Sequence, residues 1–323
     1  MAKVLRYRLT AIKCLVFLVL VLAFVLTFSI RHDKIEISSD SFGIQPANDN
    51  PNSRVYLLIV VLSDPVKTAT RKVIRETWLS LKSDRVKTLF AVGSKGLNKE
   101  TLSTIEEEQH RFNDILFLES VEEGYNSLAS KLLTTLKTIH SREKFSFVLK
   151  CDDDSFVRVP ELVKELSNQP QEKLYWGFFK GGSSVFRKGK WKEEDWFVCD
   201  TYLPYALGGG YILSADLVEY LVNSSRFLQQ YKSEDVSLGL WLSPLNIHRV
   251  HDVRFDTEYK SRGCFNSYLI THKQSTVQMR EKHANILKTG KLCPSEERIR
   301  YSYVYNWTVP PSKCCKTLDP DLP

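Results

Sequence analysis

At 323 residues, with 43% hydrophobic and 26% charged content, the chain is long enough to bury a sizeable core. Four of its 45 basic residues, Lys3, Arg6, Arg8 and Lys13, precede a long apolar run, which leaves 41 basic against 38 acidic residues with interspersed signs. That balance, with no continuous basic stripe, excludes a nucleic-acid footprint.

Cys14 to Ile30 is a 17-residue apolar run without one charge, at the short end of what spans a bilayer. The competing reading is a cleaved signal peptide, but the run exceeds the usual apolar region of one and has no small-x-small cleavage site. Positive charges cluster before the run, while Arg31, His32, Asp33 and Lys34 nearly balance after it. That asymmetry keeps the N-terminus cytosolic. The expected organisation is a cytosolic tail (1–13), one transmembrane signal-anchor helix (14–30), a polar luminal stem (31–53) and a folded domain (54–323), a single-pass type II membrane protein. The sequons at Asn223 and Asn306 agree with a luminal body, as do six cysteines beyond the run. Six paired cysteines allow fifteen connectivities. Cys151, beside an acidic cluster, is a candidate free thiol.

From Arg54 apolar periodicity begins. VYLLIVVL (55–62) reads as a buried strand. Asp64-Pro65 reads as a helix start, with helical spacing over 66–82. KTLFAVG (87–93) and DILFLES (114–120) are strands flanking a polar helix at 98–112. Leu128, Leu132, Leu133, Leu136 and Ile139 share one helical face, and FSFVLK (145–150) is again a strand. Alternating strands and helices predict an α/β domain with a mostly parallel sheet. A Trp- and Gly-rich stretch (174–200) follows, then YALGGGYIL running into a helix that Ser214 could cap, and another helix near Ser233.

Three constellations carry chemistry. Asp152-Asp153-Asp154 follows strand FSFVLK. Adjacent carboxylates repel and need a cation or solvent, and ligands of open α/β sheets gather beyond strand carboxyl ends. Oxygen ligands there suit Mg²⁺ or Mn²⁺ bound to a diphosphate. The bland alternative is a solvated Asp-rich turn. Ser233-Glu234-Asp235 opens the apolar segment VSLGLWL. It is either a cap with acids in the first turn or a general base for a hydroxyl nucleophile. His272, in YLITHKQS, could supply a metal nitrogen or be structural. Glycines 208–210 allow close backbone approach or form a plain turn.

Together, Arg71-Lys72-Val73-Ile74-Arg75-Glu76-Thr77-Trp78, Phe90-Ala91-Val92-Gly93, Phe147-Val148-Leu149-Lys150 before the triple Asp, Tyr205-Ala206-Leu207-Gly208-Gly209-Gly210-Tyr211 and Glu234-Asp235-Val236 resemble the β-1,3-glycosyltransferases of glycosyltransferase family 31. Order and spacing match through nearly all of 54–275. LYWGFF (174–179), RFDTEYKSRGC (254–264), THKQS (271–275) and the C-terminal SYVYNW and PPSKCC resemble the branch that builds the glycosaminoglycan linkage region. The resemblance implies a GT-A-like nucleotide-sugar-binding fold, a Golgi membrane location, UDP-galactose as donor and Mn²⁺ as metal. The acceptor it implies is the galactose of Gal-β1,4-Xyl on a proteoglycan core protein, with inversion, in a pathway shared with other linkage-region glycosyltransferases. It assigns Asp235 as catalytic base and Asp154 with His272 as metal ligands. Asp152, Asp153, Arg71, Arg75, Gly209 and Gly210 fall on the donor side, with Trp176 and Tyr211 as walls. Rival readings are the same chemistry with another donor such as N-acetylglucosamine, and a catalytically silent lectin or chaperone.

Overall fold

The computed structural model describes residues 54–323. The tail, anchor and stem expected over 1–53 lie outside the described residues. Among the described residues no helix is long and apolar enough to cross a membrane.

The first half alternates strand and helix, as the apolar runs predict. Strand β1 (Val55–Leu62) leads to α1 (Thr68–Glu76), β2 (Val86–Gly93), α2 (Lys99–Phe112), β3 (Ile115–Leu118), α3 (Leu128–Arg142) and β4 (Phe145–Asp152). A short strand β5 (Phe156–Val157) and helix α4 (Val159–Leu166) follow. Then come β6 (Leu174–Lys180), β7 (Tyr205–Ser214), α5 (Ala215–Asn223), α6 (Glu234–Leu242) and β8 (His248–His251). The chain closes with β9 (Phe255–Asp256), β10 (Gly263–Cys264), β11 (Ile270–Thr271), α7 (Thr276–Thr289) and β12 (Glu297–Arg298).

The central sheet has seven strands in the order β3-β2-β1-β4-β7-β6-β8. Strands β1 to β4 run parallel; β7 runs against both β4 and β6, and β8 runs parallel to β6. The sheet is therefore mostly parallel, with β7 the one reversed strand. Along β1, Leu57, Ile59 and Val61 enter one core while Leu58, Val60 and Leu62 enter the other, the period-two alternation of a strand covered on both faces. Val73 and Ile74 of α1, Leu162 and Leu166 of α4 and Met279 of α7 fill the first core. Leu132 and Leu136 of α3, Leu217 and Leu221 of α5 and Leu238 and Leu242 of α6 fill the second. A small sheet, β5-β11-β9, sits beyond the main one.

Three expectations need correction. The helix foreseen over 66–82 starts only at Thr68 and breaks at Thr77, with a 3-10 turn over Trp78–Leu81. Asp64 and Pro65 form a turn instead, in which Asp64 Oδ1 accepts from Val66 N–H and the Arg71 guanidinium donates to both carbonyls. Thr77 Oγ1 donates to Val73 O, a side-chain bond that competes with helix continuation. Ser214 precedes α5 without capping it, because its hydroxyl accepts from Leu174 N–H across the sheet. Trp176 is fully buried, its Nε1 donating to Asp252, so it is a core aromatic and no wall of a ligand site.

Disulfides join Cys264 to Cys293 and Cys314 to Cys315; Cys151 is a buried free thiol and Cys199 an exposed one.

Candidate active site

Strand β4 ends at the acids, and its neighbour β7 arrives from the opposite direction, with Cys151 opposite Gly210. The N-terminal half of β7 thereby lies alongside the carboxyl end of β4, where a parallel sheet presents its ligands. Asp152, Asp154 and His272 converge there, with one ligand atom from each lying within 4.8 Å of the others. His272 follows β11, and its main-chain N–H donates to Asp256 O. Its Nδ1 lies 3.3 Å from Glu258 O and, donating there, turns Nε2 toward the acids. That buried Nε2 is 2.8 Å from Asp154 Oδ1 and 3.4 Å from Asp152 Oδ2, yet it makes no aligned hydrogen bond. An unsatisfied imidazole nitrogen between two carboxylates, oriented from behind by a carbonyl, fits a divalent cation. Without a cation, burial draws the His272 imidazole down, but Asp152 and Asp154 together outweigh it and hold it at about 9. A bound cation takes the neutral imidazole, so metal binding releases that proton.

The third acid points elsewhere. Asp153 is buried and accepts from Ser63 Oγ at 3.0 Å and from Lys67 Nζ at 2.8 Å, on the turn after β1. The triple Asp thus divides between the metal group and this turn.

Arg71 supports the turn from behind, and Arg75 meets Arg71 on Glu108. Arg71 is fully buried and forks onto Glu108 at 2.9 and 2.7 Å, with its other donors on Ser63, Asp64, Pro65 and Thr68. Arg75 pairs with Asp114 and Glu108 and lies over the Phe90 and Phe112 rings. Both engage protein groups, and Arg71 shapes the turn that holds Asp153.

Gly209 faces His272: a Cβ there would lie 2.6 Å from the imidazole Cγ. Only glycine lets β7 approach so closely. The Gly209 carbonyl accepts from Ser155 Oγ at 2.6 Å. Gly210 abuts Ile270, and the fully buried Tyr211 lies in the core beside them.

Asp235 sits in the first turn of α6. Ser233 stands before this helix with no side-chain capping bond, so the acids here are not explained by a cap. Asp235 Oδ2 accepts from Gly208 N–H at 3.0 Å and Oδ1 from Val236 N–H at 2.8 Å. Burial, and then the charge of Glu234, push the Asp235 carboxyl up to about 7, the range in which a carboxylate serves as a base near neutrality. Next to it in the chain, Val236 packs with Trp196, Tyr202, Tyr205 and Tyr231 in a third cluster.

Lys150, to which the sequence reading assigned no role of its own, joins these groups through Asp152 and Glu234. Lys150, 3% exposed, lies 2.8 Å from Asp152 Oδ1, 2.6 Å from Glu234 Oε1 and 2.6 Å from Gly208 O. Burial opposes its charge, but Asp152 and Glu234 outweigh it, so the ammonium stays protonated. The available signal was a lysine closing an otherwise apolar strand.

The galactosyltransferase family model matches residues 69–253. The chain is 47% identical over 273 residues to mouse beta-1,3-galactosyltransferase 6, covering 82% of this chain and 84% of that one. It is 32% identical over 253 residues to the Arabidopsis thaliana hydroxyproline O-galactosyltransferase GALT2, and 32% over 204 residues to the Xenopus laevis UDP-GalNAc:beta-1,3-N-acetylgalactosaminyltransferase 2. Those alignments cover 75% and 62% of this chain, but only 36% and 41% of the relatives.

Proposed function

The chain belongs to the galactosyltransferase family, and from that premise we propose that it is an inverting β-1,3-galactosyltransferase acting from UDP-galactose onto the galactose of Gal-β1,4-Xyl on proteoglycan core proteins. The observation that carries the reading is the convergence of Asp152, Asp154 and His272 with a carboxyl suited to a base, Asp235, tied to them through Lys150 and Glu234. We read the mostly parallel sheet as GT-A-like, and the cation as Mn²⁺ because two carboxylates suit a hard divalent ion that also takes an imidazole nitrogen.

Asp152, Asp154 and His272 would hold the cation, which when bound neutralises charge on the departing diphosphate. Asp235 takes the proton from the acceptor's 3-hydroxyl as that oxygen attacks the anomeric carbon from the face opposite UDP. The bond to UDP breaks as the new glycosidic bond forms, inverting the anomeric centre in one displacement. Gly208 N–H and Val236 N–H hold both Asp235 oxygens and so fix the carboxylate's orientation. The aromatic cluster on the adjoining Val236 limits water beside it.

We place the protein in the Golgi membrane as a single-pass type II protein. The charge asymmetry around 14–30 and the disulfides Cys264–Cys293 and Cys314–Cys315 support that placement.

Asp235→Asn tests the base. Calorimetric UDP-galactose affinity should stay near wild type while kcat falls about 100-fold or more. Turnover retained in this variant removes Asp235 from the role.

A further inference from the structure

Resting on the reading above, we propose that Lys150 is a positioning residue that locks the metal-binding end of β4 to the base-bearing turn of α6. Its ammonium has three hydrogens, and three acceptors from separate parts of the chain surround it: Asp152 Oδ1, Glu234 Oε1 and Gly208 O. Each contact fixes a different part of the site. At Asp152 the lysine occupies Oδ1, leaving Oδ2 as the oxygen nearer His272 Nε2. At Glu234 it holds the residue beside Asp235 with an ion pair whose side chains are 3% and 8% exposed. At Gly208 it grips the carbonyl of the residue whose N–H orients Asp235 Oδ2.

All three Lys150 ammonium hydrogens face the chain's own acceptors in this arrangement. Lys150 sets where a cation and a base stand relative to one another. A buried charge held between two carboxylates is costly to keep for stability alone, since an apolar replacement of such groups is often neutral or better. Outer partners of this kind typically govern affinity or activity by about 10–100-fold.

The test uses the full chain in detergent. Glu234→Gln alone keeps Lys150 on Asp152, so Mn²⁺ affinity, read as free Mn²⁺ by electron paramagnetic resonance, should stay within about threefold of wild type. Lys150→Met with Glu234→Gln removes the clasp while relieving the stranded carboxylate at Glu234. In that double variant Mn²⁺ should bind about tenfold more weakly, and kcat should fall about 100-fold, with acceptor KM within about threefold. A double variant matching Glu234→Gln in Mn²⁺ affinity and kcat overturns the proposal. Weakened Mn²⁺ binding in a protein that transfers no galactose would instead keep the clasp and sink the transferase reading. A crystal structure of the Mn²⁺-loaded protein tests the clasp without variants. Lys150 Nζ should remain within hydrogen-bond reach of both Asp152 and Glu234, and loss of either contact contradicts it.

Discussion

The Asp235 carboxyl illustrates how a residue acquires a function from its surroundings. Partly buried and set beside Glu234, it holds its proton up to about pH 7. A base must be ionised, so kcat/KM should fall as pH drops through about 7. Glu234→Gln removes the neighbouring charge and should move that acid limb to lower pH; an unmoved limb would separate it from Asp235. Stability runs the other way. Between the ordinary carboxylate value of 3.8 and about 7 the native state carries a proton that the unfolded chain has lost. Stability should therefore decline as pH rises through that window, and Asp235→Asn should abolish this part of the decline in urea titrations. The acids and His272 were legible in the sequence because each sits in a short motif with its own chemistry. The pairing of Lys150 with Glu234 was not, since 84 residues separate partners that meet only when β4, β7 and α6 assemble.

At the scale of elements, apolar runs located β1 to β4 and the face of α3, whereas the reversal of β7 depends on pairing that no local pattern carries. The break at Thr77 was hidden for a similar reason: helical spacing continues through it, and the competing bond comes from the Thr77 side chain, while Arg71 braces the turn ahead of the helix. Arg71 shows what such a brace is worth. Arg71→Ala leaves buried Glu108 with Arg75 as its remaining cation and removes the donors to the Asp64 and Pro65 carbonyls, and should cost about 3 kcal/mol in denaturant unfolding. A loss below about 1 kcal/mol would show that the turn does not depend on it. β7 has its own vulnerable point at Gly209. Gly209→Ala places a methyl against the His272 ring, so the imidazole must shift. Mn²⁺ affinity should drop about tenfold, and calorimetric titration showing wild-type affinity would contradict the close approach.

For the molecule as a whole, the family places the chemistry, and the division of the triple Asp shows how this chain arranges it. Asp152 and Asp154 look toward His272, while Asp153 ties the turn after β1 to β4. The apolar run at 14–30 adds a cellular expectation: the protein should stay in the membrane pellet after alkaline carbonate washing, and release into the supernatant would remove the anchor. The most direct measurement of the central claim is nuclear magnetic resonance of the product formed from UDP-galactose and a galactosyl-xyloside, with Mn²⁺ and after chelation. A new β-1,3 linkage should form with Mn²⁺, none in chelator, and it should return when Mn²⁺ is restored. Transfer that proceeds unchanged in chelator, or no transfer under any of these conditions, would contradict it.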